Sequence, residues 1–218
     1  MPRCQLRRFV PYVVSVLYLF RNLISLLRTG HYDCHGINVQ GVSDEKGKFI
    51  YFAVAGPGAM HDQAAYEGTT LPSLVESLPV GTFIIADNAY TATEHLIPVY
   101  GGLERLEPGK DDTNYYFSQV RIHIERAFGI MKRRFAILSR PINVSMNNVS
   151  PLLMSIARIH NFSLNYTTDD EFFHESVSVS LRDPNTDVQL SLGGSAPGQS
   201  SLQKMLHERV QEKGLKRP

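Results

Sequence analysis

The sequence predicts an α/β fold in which a mixed β-sheet is flanked by helices. Three patterns support this prediction: a strand–turn–strand pattern over residues 36–55, an apolar run at residues 83–86, and an amphipathic helical pattern over residues 115–135. The chain has 218 residues, of which 43% are hydrophobic, and this is enough for the core of one domain with additional segments.

Residues 36–55 have the pattern of a β-hairpin. Residues 36–42 alternate apolar and polar side chains, which is the period of a half-buried strand. A turn is predicted at residues 44–47, where Gly47 is able to adopt a positive φ. Residues 48–55 are rich in aromatic and β-branched side chains, so we expect a second, buried strand.

An acidic residue directly follows the next predicted strand. A short helix or loop at residues 59–63 and a helical stretch around residues 73–78 come first. Residues 82–86 then form an apolar strand that we expect to be buried on both faces, as in the centre of a mixed sheet. Ligand sites often lie at the end of such a strand, so Asp87 is a candidate site residue.

Two helices are predicted in the second half of the domain. Residues 91–114 contain several Gly and Pro and no regular period, so we expect irregular structure there. The helix at residues 115–135 has one apolar face, and Glu125 lies at the border of that face. A second helix is predicted to start at Ser150–Pro151, a cap residue followed by Pro at the first helical position, and to run to about Asn161.

The N-terminal segment, residues 1–30, differs from the domain that we place at residues 31–166. It is atypically apolar, which indicates a buried helix or strand, or a segment foreign to the domain. Alternatively, residues 9–27 are a signal peptide or a membrane anchor. A membrane span there would contain Arg21, which costs roughly 2.5–3.5 kcal/mol at the centre of a span, so we do not expect a membrane location.

The C-terminal segment, residues 167–218, is predicted to be a largely disordered polar tail. Residues 183–201 contain Pro, Gly, Ser, Asn and Gln without periodicity. A short helix is predicted within residues 202–215. The chain contains two cysteines, which do not form a disulfide framework and favour a reducing compartment.

Basic residues are concentrated in one part of the chain, although the formal net charge is only +1. Between residues 121 and 140 there are six basic residues and one acid. The residues that we expect to contact nucleic-acid phosphates are Arg121, Arg126, Lys132, Arg133 and Arg134. The alternative is an ordinary solvated helix face, and charge alone does not separate the two interpretations.

Asp87 and Glu125 are candidate metal ligands and catalytic residues. Asp87 directly follows an apolar strand, where a charged side chain is unexpected, and Glu125 is the single acid in the predicted basic helix. Carboxylate oxygens suit a divalent cation such as Mg²⁺ or Mn²⁺, whereas the alternative is that each acid is simply solvated. His61 and Asp62 are an additional candidate site, either as a third ligand or as a hydrogen-bonded pair that shapes the loop.

Four motifs carry a resemblance to a known family. The motifs are Gly56-Pro-Gly-Ala-Met-His-Asp62, Ala86-Asp-Asn-Ala-Tyr90, Arg121-Ile-His-Ile-Glu-Arg-Ala-Phe-Gly-Ile-Met-Lys-Arg-Arg-Phe135 and Ile156-Ala-Arg-Ile-His-Asn-Phe162. Together they resemble the PIF/Harbinger transposases and their domesticated nuclease relatives, in the DDE superfamily of endonucleases. The resemblance covers about residues 30–166.

The resemblance implies a ribonuclease-H-like fold with three acids that hold a divalent metal for DNA cleavage. Asp87 and Glu125 correspond to the last two of these acids. The first acid lies on the strand before the hairpin, which here falls in residues 1–30, where the sequence contains no Asp or Glu. We therefore expect a domain that is incomplete at its N-terminus.

Two functional hypotheses follow from the incomplete acid set. The first is a transposase-derived, metal-dependent endonuclease. The second is a catalytically inactive domain that binds DNA or protein. In either case the resemblance implies a nuclear location and, because the DNA-binding region found upstream in the family is absent from this sequence, a separate DNA-binding protein as partner.

Overall fold

A mixed five-stranded sheet is the framework of this computed structural model. The strands, in chain order, are β1 (Val13–Leu19), β2 (Leu26–Thr29), β3 (Asp33–His35), β4 (Ile37–Ser43), β5 (Phe49–Pro57), β6 (Phe83–Ala86) and β7 (Leu96–Pro98). Strands β2 and β3 pair separately, and the other five form the main sheet in the order β5-β4-β1-β6-β7. The β5, β4 and β1 strands pair antiparallel, whereas β1, β6 and β7 pair parallel. The predicted mixed α/β fold is confirmed, and it is consistent with a ribonuclease-H-like fold.

The structure describes residues 13–19, 26–29, 33–140, 142, 144–166 and 200–217, with side-chain surroundings from residue 36 onward. Much of the predicted anchor segment and residues 167–199 of the predicted tail lie outside these residues. Within the described ranges, no helix is both long and apolar enough to cross a membrane.

The predicted hairpin is present and consists of β4 and β5. Its turn is held by the Asp44 side chain, whose Oδ1 accepts hydrogen bonds of 2.9 Å from the backbone N–H groups of Lys46 and Lys48. Gly47 adopts φ 79°, a conformation that strains residues with a Cβ, so the turn needs a glycine there.

Strand β1 lies at the centre of the sheet, between the hairpin and β6. Its Val16 pairs with Ser43 on one side and with Ile85 on the other. It is the strand of the main sheet that precedes the hairpin in the chain, which is the place expected for the first acid. Its sequence, Val-Val-Ser-Val-Leu-Tyr-Leu, contains no carboxylate.

Helices cover both faces of the sheet. They are α1 (Asp62–Glu67), α2 (Leu71–Glu76), α3 (Lys110–Arg134), α4 (Met146–Leu164) and α5 (Ser201–Glu212). On β6, Phe83 and Ile85 pack in one apolar core with α3, α4 and α5, while Ile84 and Ala86 pack in a second core with α1 and α2. All four residues are buried, because successive side chains of a strand point to opposite faces and both faces are covered.

The region predicted to be irregular, residues 91–114, contains more regular structure than expected. It includes β7, a 3-10 turn at Gly102–Leu106 and the first turn of α3. Gly109 precedes α3 with φ 78°, and the first turn of the helix contains Asp111 and Asp112. Two acids at a helix N-terminus are favourable with the helix dipole, so α3 begins five residues earlier than residue 115.

The predicted start of α4 at Ser150–Pro151 is wrong. The helix begins at Met146 after the extended residue Ser145, and Pro151 lies inside it. Val149 lies in residues 146–149, which the predicted helix did not include, and it is buried with 2% exposure. Burying this side chain compensates for the backbone hydrogen bond that a proline cannot donate in a helix.

The short helix predicted within residues 202–215 is confirmed as α5, and it packs on the domain. Leu206 is 1% exposed, and Gln203 donates a 2.8 Å hydrogen bond from Nε2 to the carbonyl of Pro98 on β7. Part of the predicted tail is thus continuous with the core of the domain.

Candidate metal and nucleic-acid site

Asp87 lies at the carboxyl end of β6, where the chain leaves the buried sheet. Its side chain is 37% exposed. Its Oδ1 accepts a 2.8 Å hydrogen bond from the backbone N–H of Asn88, and its carbonyl accepts one of 3.3 Å from Tyr90. Gly101 leaves room for this turn, because a Cβ there would lie 2.7 Å from the side-chain amide of Asn88. The carboxylate is therefore held by a tight turn while remaining accessible to solvent.

Glu125 lies on α3 at the margin of its buried face, as predicted. Its neighbours Ile124 and Ala127 are fully buried, whereas the Glu125 side chain is 49% exposed. The border position allows the carboxylate to face the end of β6 while the same helix contributes to the core.

Arg121 connects the two acids. Its Nη2 atom lies 3.8 Å from Oδ2 of Asp87 and 3.8 Å from Oε1 of Glu125. The Arg121 side chain is only 15% exposed. The two predicted acids lie on separate elements and both face the positive charge of Arg121. Arg121, which was predicted to contact phosphate, therefore lies between the two carboxylates.

The donor set at this place fits one divalent cation. Two carboxylates are a common protein contribution to a Mg²⁺ site, since this ion retains several waters. Within the described residues there is no cluster of three or more His, Cys, Asp or Glu side chains that is arranged to hold a metal. The pair Asp87 and Glu125 would thus hold one ion, and a site for two ions is not built from the described side chains.

A buried polar chain links the Asp87 turn to the hairpin and to the loop before α1. The hydroxyl of Tyr90 donates to Oε1 of Gln40 at 3.0 Å, and Nε2 of Gln40 donates to Oδ1 of Asn38 at 3.0 Å. Asn38 in turn donates to the carbonyl of Met60 at 3.4 Å. Burial is the main cause that raises the pKa of Tyr90, followed by the negative charge of Asp62. The hydroxyl therefore stays protonated and acts as a donor.

His61 and Asp62 lie at the start of α1, beside the Asp87 turn. His61 is the exposed N-cap residue, and its side chain makes no cap hydrogen bond. Gln63, which follows Asp62, accepts a 3.0 Å hydrogen bond at Oε1 from the backbone N–H of Thr91 and so fastens α1 to the loop after Asp87. Asp62 acts electrostatically on Tyr90, but it does not join Asp87 and Glu125 in a cluster of metal-ligand geometry among the described residues. A role for His61 and Asp62 as a site stays a prediction.

The five basic residues of the predicted DNA surface have different surroundings. Arg121 faces the acids, as described above. Arg134 is half-buried, its Nη1 donates to Oγ of Ser163 on α4, and burial lowers its pKa. Arg126 and Lys132 are half-buried, and Arg133 is exposed. Lys132 and Arg133 are therefore the better placed of the five for a contact with nucleic acid, since the side chain of neither makes an ion pair or hydrogen bond within the described part of the chain.

His160 and Asn161, near the end of α4, both bind the backbone of the hairpin. His160 is fully buried on α4, donates from Nε2 to the carbonyl of Gly47 at 2.9 Å, and has a pKa that burial lowers. Asn161 pairs with the edge strand β5, accepting from the N–H of Phe49 at 2.8 Å and donating to its carbonyl at 2.7 Å. An Asn amide offers the same donor and acceptor as a peptide group, and this signal could have indicated a strand-edge contact.

Comparison with known proteins identifies one family. A family model described as DDE superfamily endonuclease matches residues 29–161 of the chain. The matched range contains Asp87, Glu125 and Arg121, and it begins after β1. Searches of curated proteins and of solved structures gave no match.

Proposed function

Because the chain belongs to the DDE superfamily endonuclease family, we propose that it acts on DNA as a nuclease-like domain in which Asp87 and Glu125 hold one divalent cation. The observation that carries this proposal is the convergence of both carboxylates on a single guanidinium nitrogen, at 3.8 Å from each. Within the family we propose the PIF/Harbinger group, on the four motifs of the sequence. Mg²⁺ and Mn²⁺ are the proposed cations, because both prefer carboxylate oxygen and water as ligands.

Each side chain has a defined task in this proposal. The Asp87 turn and helix α3 present two carboxylates to solvent at one place, and Lys132 and Arg133 bind phosphates along the same helix. Lys132 is seven residues from Glu125, which is about 10 Å along a helix with a rise of 1.5 Å per residue. A bound cation would supply charge stabilisation at a phosphodiester and activation of water.

A second candidate function is DNA binding without cleavage. It is favoured by strand β1, which occupies the central place expected for the first acid and contains no carboxylate in its sequence. Two acids hold one ion, whereas the resemblance implies three acids for cleavage. Under both candidates we propose a nuclear location and a separate DNA-binding protein as partner.

The cation site is tested by Mn²⁺ titration calorimetry on the full chain. Asp87→Asn and Glu125→Gln should each weaken Mn²⁺ binding about tenfold or more, because a carboxylate ligand is replaced by a neutral amide. Glu94→Gln is the matched control, since Glu94 is exposed on a loop and should leave the affinity unchanged. Equal affinities in all four proteins would remove the site assignment.

The DNA activity is tested with a labelled duplex in Mn²⁺. Binding should weaken with salt, and Arg133→Gln should reduce the slope of log K against log salt by about 0.9, the value for one phosphate contact. Lys204→Gln, an exposed substitution on α5, should leave the slope unchanged. Strand breaks that need both Asp87 and Glu125 would support the endonuclease, whereas salt-dependent binding without breaks would support the second candidate. A duplex that is neither bound nor cut would contradict both.

A further inference from the structure

We propose that Arg121 is an internal counter-ion of the candidate cation site, which holds the two acids together until a divalent cation displaces it. This inference rests on the proposed function, in which Asp87 and Glu125 are the cation ligands. It assigns to Arg121 a positioning role within the site in place of the phosphate contact expected from the sequence.

The burial of Arg121 supports an internal role. Its side chain is 15% exposed, and its helix neighbours Val120 and Ile124 are 9% and 0% exposed. A guanidinium stays protonated in proteins, so its charge is retained at this depth and needs negative partners. Asp87 and Glu125 are these negative partners. Both carboxylates are more exposed than the Arg121 side chain, so the guanidinium lies on the protein side of them.

The geometry places the guanidinium where a cation would compete with it. Arg121 and Glu125 are four residues apart on α3 and therefore lie on the same side of the helix, and Asp87 approaches them from β6. A Mg²⁺ ion holds carboxylate oxygens at about 2.0–2.1 Å, much closer than the 3.8 Å to Nη2 of Arg121. An ion that binds both carboxylates would therefore repel the guanidinium at close range and must displace it.

The charges give the expected consequence. In the absence of a cation, Arg121 reduces the repulsion between two carboxylates that face the same point. Removing its charge should therefore leave a site with a net charge of about −2 instead of −1, and a divalent cation should bind more tightly. The carboxylates are 37% and 49% exposed, so solvent screens these pairs and the gain should be moderate.

The inference is tested by the Mn²⁺ affinity of the full chain, measured by calorimetry. Arg121→Gln should bind Mn²⁺ about threefold to tenfold more tightly than the wild-type protein, the range expected for losing two screened ion pairs. Arg121→Lys keeps the charge and should stay within about twofold of wild type. Arg158→Gln removes a positive charge from the exposed side of α4 and should leave the affinity unchanged.

Two results would overturn the counter-ion role. The first is an Arg121→Gln protein that is folded by circular dichroism and binds Mn²⁺ with unchanged or lower affinity, while Asp87→Asn still weakens binding. The second needs no variant: in the wild-type protein, addition of Mg²⁺ should accelerate hydrogen exchange of the Arg121 guanidinium, and unchanged exchange at a saturated site would refute displacement. If Asp87→Asn itself has no effect on Mn²⁺ binding, the proposed function fails, and this outcome is distinct from both.

Discussion

Replacing Tyr90 by Phe tests the buried polar chain that supports the Asp87 turn. Tyr90 is 1% exposed, and its hydrogen-bond acceptor Gln40 is fully buried. The substitution removes the hydroxyl and leaves Oε1 of Gln40 in the core without this donor. An unsatisfied buried acceptor costs about 1–3 kcal/mol, so we expect the free energy of unfolding to fall by about 2 kcal/mol.

The loss is measurable by urea and thermal unfolding followed by circular dichroism. For a domain of this size, 1 kcal/mol corresponds to about 2–4 °C, so the melting temperature should fall by about 4–8 °C with little change in the urea m-value. Tyr166→Phe makes the same chemical change at a residue that is 75% exposed, and it should have almost no effect.

A double-mutant cycle identifies the interaction responsible. In a Gln40→Met background the acceptor is absent, so Tyr90→Phe should cost clearly less than it does in the wild-type protein. Equal stability losses for Tyr90→Phe and Tyr166→Phe, or an equal cost of Tyr90→Phe in both backgrounds, would refute the role of the Tyr90–Gln40 hydrogen bond.

Two further predictions concern α4. Asn161→Ala should lower the free energy of unfolding by about 1–3 kcal/mol, because both of its hydrogen bonds to the backbone of Phe49 are lost. The exposed Asn147→Ala on the same helix is the control in urea unfolding, and equal losses would contradict the prediction. The contribution of His160 to the free energy of unfolding should also be fully present above pH 6.5, the ordinary pKa of His, and should be lost as the pH falls below this value. Burial lowers the pKa of His160, so the unfolded chain takes up the proton first; melting temperatures between pH 8 and 5 should show the loss, and His160→Gln should reduce it.

The sheet elements were predictable where local pattern and environment agree. The hairpin follows from its alternation and from a turn that needs Gly47, and β6 follows from a run of four apolar residues. The start of α4 was not predictable from local signals. Ser150–Pro151 has the composition of a helix start, yet burial of Val149 extends the helix to Met146.

The candidate site was predictable in its acids and not in its arrangement. Asp87 stands out because a charge follows a buried strand, and Glu125 because it is the single acid in the basic helix predicted at residues 115–135. Arg121 has the same charge signal as the other basic residues of that helix, and its spacing of four residues from Glu125 predicts only that these two side chains share one side of the helix. Its contact with Asp87 depends on how α3 packs against the end of β6.

The sequence by itself determined the mixed α/β fold and the membership in an endonuclease family, and it supplied the two acids of the candidate site, because periodicity, turn residues and motifs are local properties of the chain. The tertiary structure alone decided three other points: that an acid-free strand occupies the centre of the sheet, that α5 joins the core, and that a half-buried guanidinium lies between Asp87 and Glu125. These contacts join residues far apart in the sequence, and their energies depend on burial and on charge separation, which exist only once the chain is packed.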